Sequence, residues 1–491
     1  MPIHVGSLAV YELPAGFRGK FASAVRKHLK ERMPLLAPLR RRLWVMPLNI
    51  TSPVWVDAVP DLKHHVVEHV LPARRSAKDG DSGALETLVG KLHVQLLDRE
   101  RPLWRFHVIE GLAPSPSGRR RVAVYTQLHH AAVDGQAAVA LATVILDLQP
   151  EPRPVELRTS TREKRFRLSL VEMISGAVTS EVQQVAHLIR ALPQAASSIG
   201  SAVTRVAAHS ELLTGRKRPG SLGLAPHMAL NAPVTARRAY ATLSLPLAPL
   251  KASAKAQDAT LNDALLWLVA TALRNHYTAR GELPRKSLVA AVPVSLRAPG
   301  DTRADNQASM TLLSLGTHVA DPARRLAHIT AATRSMKATL STVKAVLPTD
   351  FPSLGVSWLT EAASALYRRA TALDGLPAVA NVVVSNVPGP AVPLYLCGAR
   401  MLANYPCSIV THGVGLNITV QSYNQSLDFG LMADAQAMPD VRRLADGLRA
   451  AAGEFEALAD RDTLDTPAPR RAALADPARR QSLTARRTRS A

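Results

Sequence analysis

The chain has 491 residues, 47% hydrophobic and 20% charged, a globular balance that excludes disorder over most of its length and allows two to four domains with real cores. Lysine and arginine number 60 against 38 acidic residues, a formal net charge of +22, which implies an anionic partner such as nucleic acid, an acidic lipid surface or a phosphate-bearing ligand. Aromatics are only 4%, too few to interleave with the basic runs as stacking platforms, so nucleic acid is not the expected partner.

In chain order, His4–Tyr11 reads as a strand and Gly19–Met33 as an amphipathic helix stopped by Pro34. Leu85–Leu97 reads as a helix, Trp104–Glu110 and Arg121–Leu128 as strands, and Gln136–Leu148 as a helix. From about 156 to 235 the composition changes to charged starts, long Ala/Ser/Val/Gln stretches and a Gly/Pro cluster near Arg218–Pro226. We read that segment as a basic helical connector. Strands and helices resume with Ala239–Leu245 as strand and Thr260–His276 as helix. Ser287–Val294 and Val379–Val387 read as strands, and Gly415–Tyr423 with Ser426–Leu431 as a hairpin. After about 462 the sequence is rich in Ala, Arg, Pro and Thr without periodicity, the mark of a disordered basic tail. The expected organisation is therefore 1–155 as an N-terminal lobe, 156–235 as connector, 236–461 as a C-terminal lobe, and 462–491 as tail.

No run reaches the roughly 18 apolar residues needed to cross a bilayer. The N-terminus shows no charged segment followed by an apolar one, so no secretory signal is expected. Two cysteines, Cys397 and Cys407, cannot make a disulfide framework or a four-cysteine metal site, and a reducing, cytoplasmic setting follows. His65 and His69 stand four apart beside His64 and Glu68, which on one helical face would resemble a metal site. No further acidic or thiol ligand stands nearby, and no metal is expected.

The segment that carries chemistry is Leu128-His129-His130-Ala131-Ala132-Val133-Asp134-Gly135. Two histidines follow an apolar strand, and Asp-Gly then opens a helix. Histidine takes up a proton near neutral pH, which suits it to general-base work. The positive end of a helix starting at Gly135 would keep a nearby imidazole uncharged. Asp134 reads either as that helix's N-cap or as a carboxylate pairing with an arginine to fix the loop. A serine nucleophile is not indicated, because no Gly-x-Ser-x-Gly elbow is present.

The His-His-x-x-x-Asp-Gly pattern in a strand-to-helix context resembles the active-site signature of the CoA-dependent acyltransferase superfamily. Further segments are similar to those of bacterial wax ester synthase/diacylglycerol acyltransferases: Pro2-Ile-His-Val-Gly-Ser-Leu, Arg101-Pro102-Leu103-Trp104, Asn262-Asp263, Val292-Pro-Val-Ser-Leu-Arg297 and Ser385-Asn386-Val387-Pro388-Gly389-Pro390. They run in order from residue 1 to about 450. Two departures stand out. The chain begins without the short Pro-Leu-Ser-Pro-type segment usual before the first strand, and Asp305 precedes Asn306 where the family often has glycine.

The resemblance implies an α/β fold of two lobes, chloramphenicol-acetyltransferase-like, with mixed sheets, a helical connector and the motif in a channel between the lobes. It implies transfer of a fatty acyl group from acyl-CoA to diacylglycerol or a long-chain alcohol, with acyl-CoA as substrate and no cofactor. His130 is then the general base, with His129 and Asp134 shaping its loop. Asn262 donates to the developing oxyanion, or else serves as the N-cap of its helix. Gly135, Ser385 and Asn386 belong to the substrate pocket. Pro102, Leu103 and Trp104 would wall an acyl channel, with ordinary core the rival reading for Trp104. Arg297 is the expected partner of Asp134. The basic surplus would hold the enzyme peripherally on an anionic membrane, the inner face of the cell membrane or lipid inclusions. A same-fold enzyme with a non-lipid alcohol or amine acceptor, and an inactive lipid-droplet scaffold, are the alternatives.

Overall fold

The computed structural model describes residues 3–45, 53–72, 81–133, 135–155, 225–295, 308–343 and 378–465. Most of the expected connector, the expected tail from 466 onward, and two predicted site residues, Asp134 and Arg297, lie outside them, while residues 462–465, read as tail, are helical instead.

In the first part of the chain the elements are β1 (His4–Glu12), α1 (Phe21–Arg32), β2 (Arg41–Trp44), β3 (Val54–Asp57), α2 (Leu62–His65), β4 (Val66–Val70), α3 (Asp81–His93), β5 (Trp104–Glu110), β6 (Arg121–His129) and α4 (Gly135–Ile145). The second part begins with β7 (Arg238–Pro246), α5 (Leu247–Ala256), α6 (Leu261–Thr278), β8 (Val289–Ser295), β9 (Ala308–Ser314) and α7 (Pro322–Val343). It ends with β10 (Val382–Val387), β11 (Tyr395–Leu396), β12 (Ala399–Cys407), β13 (Leu416–Tyr423), β14 (Ser426–Asp434) and α8 (Val441–Asp465).

Two six-stranded mixed sheets organise most of these elements, one ordered β11-β12-β1-β6-β5-β4 and the other β7-β14-β13-β10-β8-β9, while β2 and β3 pair in a separate two-stranded sheet. In the first, β4 and β5 run parallel and the other neighbours antiparallel. In the second, β10 runs parallel to both β13 and β8. A mixed α/β architecture is what the alternating strand and helix signals imply. Beside the second sheet, α6 is buried nearly all round, from Asp263 to Leu273, as a helix apolar on every side must be. Its start is fixed by a capping box in which Thr260 and Asp263 each bond the other's backbone N–H.

The first sheet is completed from the far end of the sequence. Strand β12 pairs antiparallel with β1, Gly6 opposite Cys407 and Leu8 opposite Tyr405. The same strand is bonded to the second sheet. The Asn404 N–H donates to the Asp428 carboxylate at 2.8 Å, and the Tyr240 hydroxyl donates to the Pro406 carbonyl at 3.1 Å. Gly430 in β14 lies so near that crossing that a Cβ would stand 1.7 Å from the Pro406 carbonyl oxygen, so only glycine fits. Burial raises the pKa of Asp428, although the Asn404 N–H and the Ser244 and Ser426 hydroxyls partly offset that by bonding it.

Several expectations need correction. The helix read at Leu85–Leu97 runs Asp81–His93, and that read at Gln136–Leu148 runs Gly135–Ile145. The His65/His69 pair does not share a helical face. Helix α2 lasts one turn, and Val66, Val67 and Val70, all β-branched, carry the chain straight into β4.

Candidate active site

The two motif histidines sit where β6 hands over to α4, and neighbouring strands pin both backbones. The His129 N–H donates to the Leu103 carbonyl at 3.0 Å, and the His130 N–H donates to the Ile3 carbonyl at 3.0 Å. The Ala132 N–H then closes a turn onto the His129 carbonyl at 2.9 Å. Helix α4 starts at Gly135, as the motif predicts. The corner is therefore held from β1 on one side and from the Pro-Leu-Trp segment on the other.

Both rings are half-buried. For His129 the tautomer follows from one bond: the Ala131 N–H donates to Nδ1 at 3.2 Å, so the ring proton sits on Nε2. Burial, with smaller contributions from His4, Arg99 and His130, pushes its pKa down to about 4. This imidazole is neutral at physiological pH. Among the described residues no side-chain hydrogen bond holds the His130 ring.

A set of imidazoles, most of them buried, extends from the corner along the sheet. His4 stands directly opposite His129 in the β1–β6 ladder, their rings edge-to-face with centroids 6.1 Å apart. The His4 Nδ1–H donates to the His93 carbonyl at 2.9 Å. Gln127 gives its amide hydrogens to the carbonyls of Leu92 (3.2 Å) and Gln95 (2.9 Å) and rests 3.0 Å from His4 Nδ1. Its carbonyl accepts from His107 Nε2 at 3.4 Å, so the Nδ1 of His107 accepts from His69 Nε2 at 2.9 Å. The Tyr125 hydroxyl bonds His93 Nδ1 at 2.8 Å. Burial is the first cause that lowers each pKa, to about 3 in His93 and His107 and about 4 in His65.

That burial makes stability pH-dependent, with a definite sign. His65, His93, His107 and His129 are neutral in the fold down to about pH 3–4, whereas in the unfolded chain each takes a proton near pH 6.5. Above about pH 6.5 the groups contribute nothing. As the pH falls toward 4 the unfolded state binds more protons and stability declines, by about 1.4 kcal/mol per group per pH unit. The melting temperature is accordingly expected to fall steeply between pH 6.5 and 4. A flat profile there would show that these rings are solvated.

The remaining predicted residues are distributed as follows. Pro102, Leu103 and Trp104 are all buried beside the corner. Trp104 is 1% exposed, donates its indole N–H to the Leu39 carbonyl at 2.9 Å and stacks on His65 at 4.3 Å. The segment thus acts on the corner through the Leu103 carbonyl. A cavity of about 360 Å³ opens nearby, lined by His65, Arg42, Arg101 and Pro102 among others, and His130 is not in its wall. In the second part, Ser385 and Asn386 lie on β10, paired with Thr419 and Val420 of β13, the first half-buried and the second exposed. Asn262 is half-buried in the first turn of α6 and is not its N-cap, which is Thr260. Its neighbour Asp263 accepts from the Thr333 hydroxyl of α7 at 2.6 Å. No hydrogen bond joins Asn262, Ser385 or Asn386 to the histidines among the described residues. Sequence reasoning missed His4, His93 and Gln127 as neighbours of the motif, since only the sheet register brings them there.

Comparison with known proteins adds the following. A family model described as the wax ester synthase/diacylglycerol acyltransferase catalytic domain matches residues 1–265, and its C-terminal companion matches residues 304–456. A putative diacylglycerol O-acyltransferase of Mycobacterium tuberculosis is 33% identical over 463 residues, covering 93% of this chain and 95% of the relative. A putative diacylglycerol O-acyltransferase of Mycobacterium bovis and a probable one of M. tuberculosis are each 32% identical over the same length. Among solved structures, the wax ester synthase/diacylglycerol acyltransferase of Marinobacter aquaeolei is 29% identical with a TM-score of 0.64, covering 94% of this chain and 95% of that one. The similarity extends over both sheets.

Proposed function

The chain belongs to the wax ester synthase/diacylglycerol acyltransferase family, and from that premise we propose that it moves a long-chain fatty acyl group from acyl-CoA to the hydroxyl of diacylglycerol or a long-chain alcohol. The observation that carries this reading is the His129-His130 corner, backbone-pinned by Ile3 and by Leu103, with one ring held neutral and the other without a side-chain tether among the described residues. The names of the mycobacterial relatives support diacylglycerol, and that of the Marinobacter enzyme supports both acceptors.

In this reading His130 takes the proton of the acceptor hydroxyl as its oxygen attacks the thioester carbonyl carbon. The C–S bond of the tetrahedral intermediate then breaks, and the same imidazolium returns the proton to the CoA thiolate. No acyl-enzyme forms. His129 keeps the corner in shape, and its neutrality spares the base a neighbouring cation. Asn262, or Ser385 and Asn386, would supply donors to the oxyanion, where one well-placed donor is worth about 3 kcal/mol. Asp134, Gly135 and Arg297 are assigned to loop support and substrate contact.

The partners in this proposal are acyl-CoA, the lipid acceptor and an anionic membrane or lipid-inclusion surface. Among the described residues no helix is long and apolar enough to cross a membrane, while the net charge of +22 favours attachment to anionic lipid.

Purified protein given palmitoyl-CoA is expected to release free CoA only when hexadecanol or diacylglycerol is present, with the matching wax ester or triacylglycerol as product. Release that requires an amine or a short polar alcohol would favour the same fold with a different acceptor. No release with any acceptor would favour a lipid-surface scaffold.

A further inference from the structure

We propose that His4 is a positioning residue for the acyl-transfer site, fixing the His129-His130 corner from the neighbouring strand; the proposal rests on the acyl-transfer reading above. Strand β1 and the residue just before it both reach the corner. The Ile3 carbonyl accepts the His130 N–H at 3.0 Å, and His4, the next residue, faces His129 across the ladder with its ring against the edge of the other. Whatever sets the place of His4 therefore sets the place of both motif histidines.

His4 is itself held to a degree that a packing residue does not need. It is 1% exposed. Its Nδ1–H is directed at the His93 carbonyl at the end of α3, and Gln127, two residues before His129, lies 3.0 Å away. Two residues further along β1, Gly6 brings the backbone so close to β6 that a Cβ would meet the Thr126 carbonyl oxygen at 1.7 Å. The ladder thus has no slack next to the corner. An apolar ring at position 4 would fill the space but leave the His93 carbonyl without its donor, in a place where water cannot replace it. The ring would then be free to shift against His129. A misplacement of about 1 Å at a catalytic group is enough to lower turnover about 100-fold.

The test compares the wild type, His130→Ala, His4→Phe and His4→Asn by melting temperature and by kcat and KM with palmitoyl-CoA and whichever lipid acceptor the wild type uses. Phenylalanine keeps the ring and loses the donor. Asparagine keeps an N–H near the Nδ1 position and loses the ring. We expect folded variants whose KM values stay within about twofold of wild type, with kcat down at least tenfold in His4→Phe and several-fold in His4→Asn. Wild-type kcat in either folded variant would overturn the proposal alone, as would a rise in KM that accounts for the whole loss. Should phenylalanine prevent folding, the same split in His4→Asn decides. An inactive wild type would overturn the acyl-transfer reading, and an unimpaired His130→Ala would remove the catalytic role of the corner; either result takes this proposal with it.

Discussion

Replacing His130 by alanine is expected to lower kcat by about 10²- to 10⁴-fold, the span that a general base ordinarily contributes. The thioester is already activated, so what the enzyme must supply is a proton acceptor for the hydroxyl and a fixed geometry for attack. KM should change little, because the ring interacts with a proton that moves only as the reaction proceeds. Melting temperature should hold as well. The His130 backbone bond to Ile3 survives the substitution, and the lost ring is half-buried with no side-chain hydrogen bond among the described residues. His129→Ala is expected to behave differently. It removes the acceptor for the Ala131 N–H, so it should lower kcat less and stability more. CoA release followed beside thermal melting checks both variants. A His130→Ala enzyme within about threefold of wild type would remove the general base from the mechanism.

The legible parts of this molecule are those in which chemistry is written in adjacent residues. The motif at 128–135 predicted a strand, a sharp corner and a helix opening at Gly135, and the chain folds that way. Capping also shows locally: Thr260 and Asp263, three apart, form the reciprocal box at the start of α6. Asn262 was the misleading residue, because it stands between them and is a good cap by type.

What could not be read are the pairings that join distant segments. Nothing local in Ala399–Cys407 says that it lies beside β1, since strand partners are chosen by the whole sheet and a shift of one residue would exchange its faces. The buried imidazoles share that origin. His4, His69, His93 and His107 look like scattered polar residues until the strand registers set His4 opposite His129 and bring His69 against His107. The Pro-Leu-Trp segment is visible in the sequence, but its contacts are not. Its indole is buried against Leu39 and His65, and its direct contact with the motif is the Leu103 carbonyl.

The largest stability effect is expected at a site away from the histidines, where Arg32 meets Asp147. Arg32 ends α1 and is 2% exposed. It gives one guanidinium nitrogen to both Asp147 carboxylate oxygens, at 2.8 and 2.9 Å, and the other to the carbonyls of Val144 and Ile145 at 2.8 and 3.1 Å. Those carbonyls belong to the last turn of α4, the helix that follows the motif. The Asp147 backbone exchanges two hydrogen bonds with Tyr395 of β11, at 2.9 and 2.8 Å. One arginine thus joins α1, the exit of the motif helix and the strand that arrives from the far end of the chain. Arg32→Met keeps much of the volume but leaves a buried carboxylate that has, among the described residues, the half-exposed Arg153 as its remaining ion-pair partner, an arrangement that costs about 3–5 kcal/mol. For a unit of this size that is a fall in melting temperature of roughly 10 °C. The paired variant Arg32→Met with Asp147→Leu should recover most of the loss, because the penalty comes from the uncompensated charge and not from the missing attraction. Both melting curves are needed for the test. If the single variant melts like wild type, or the double variant melts below the single one, the pair does not hold the motif helix in the way its geometry indicates.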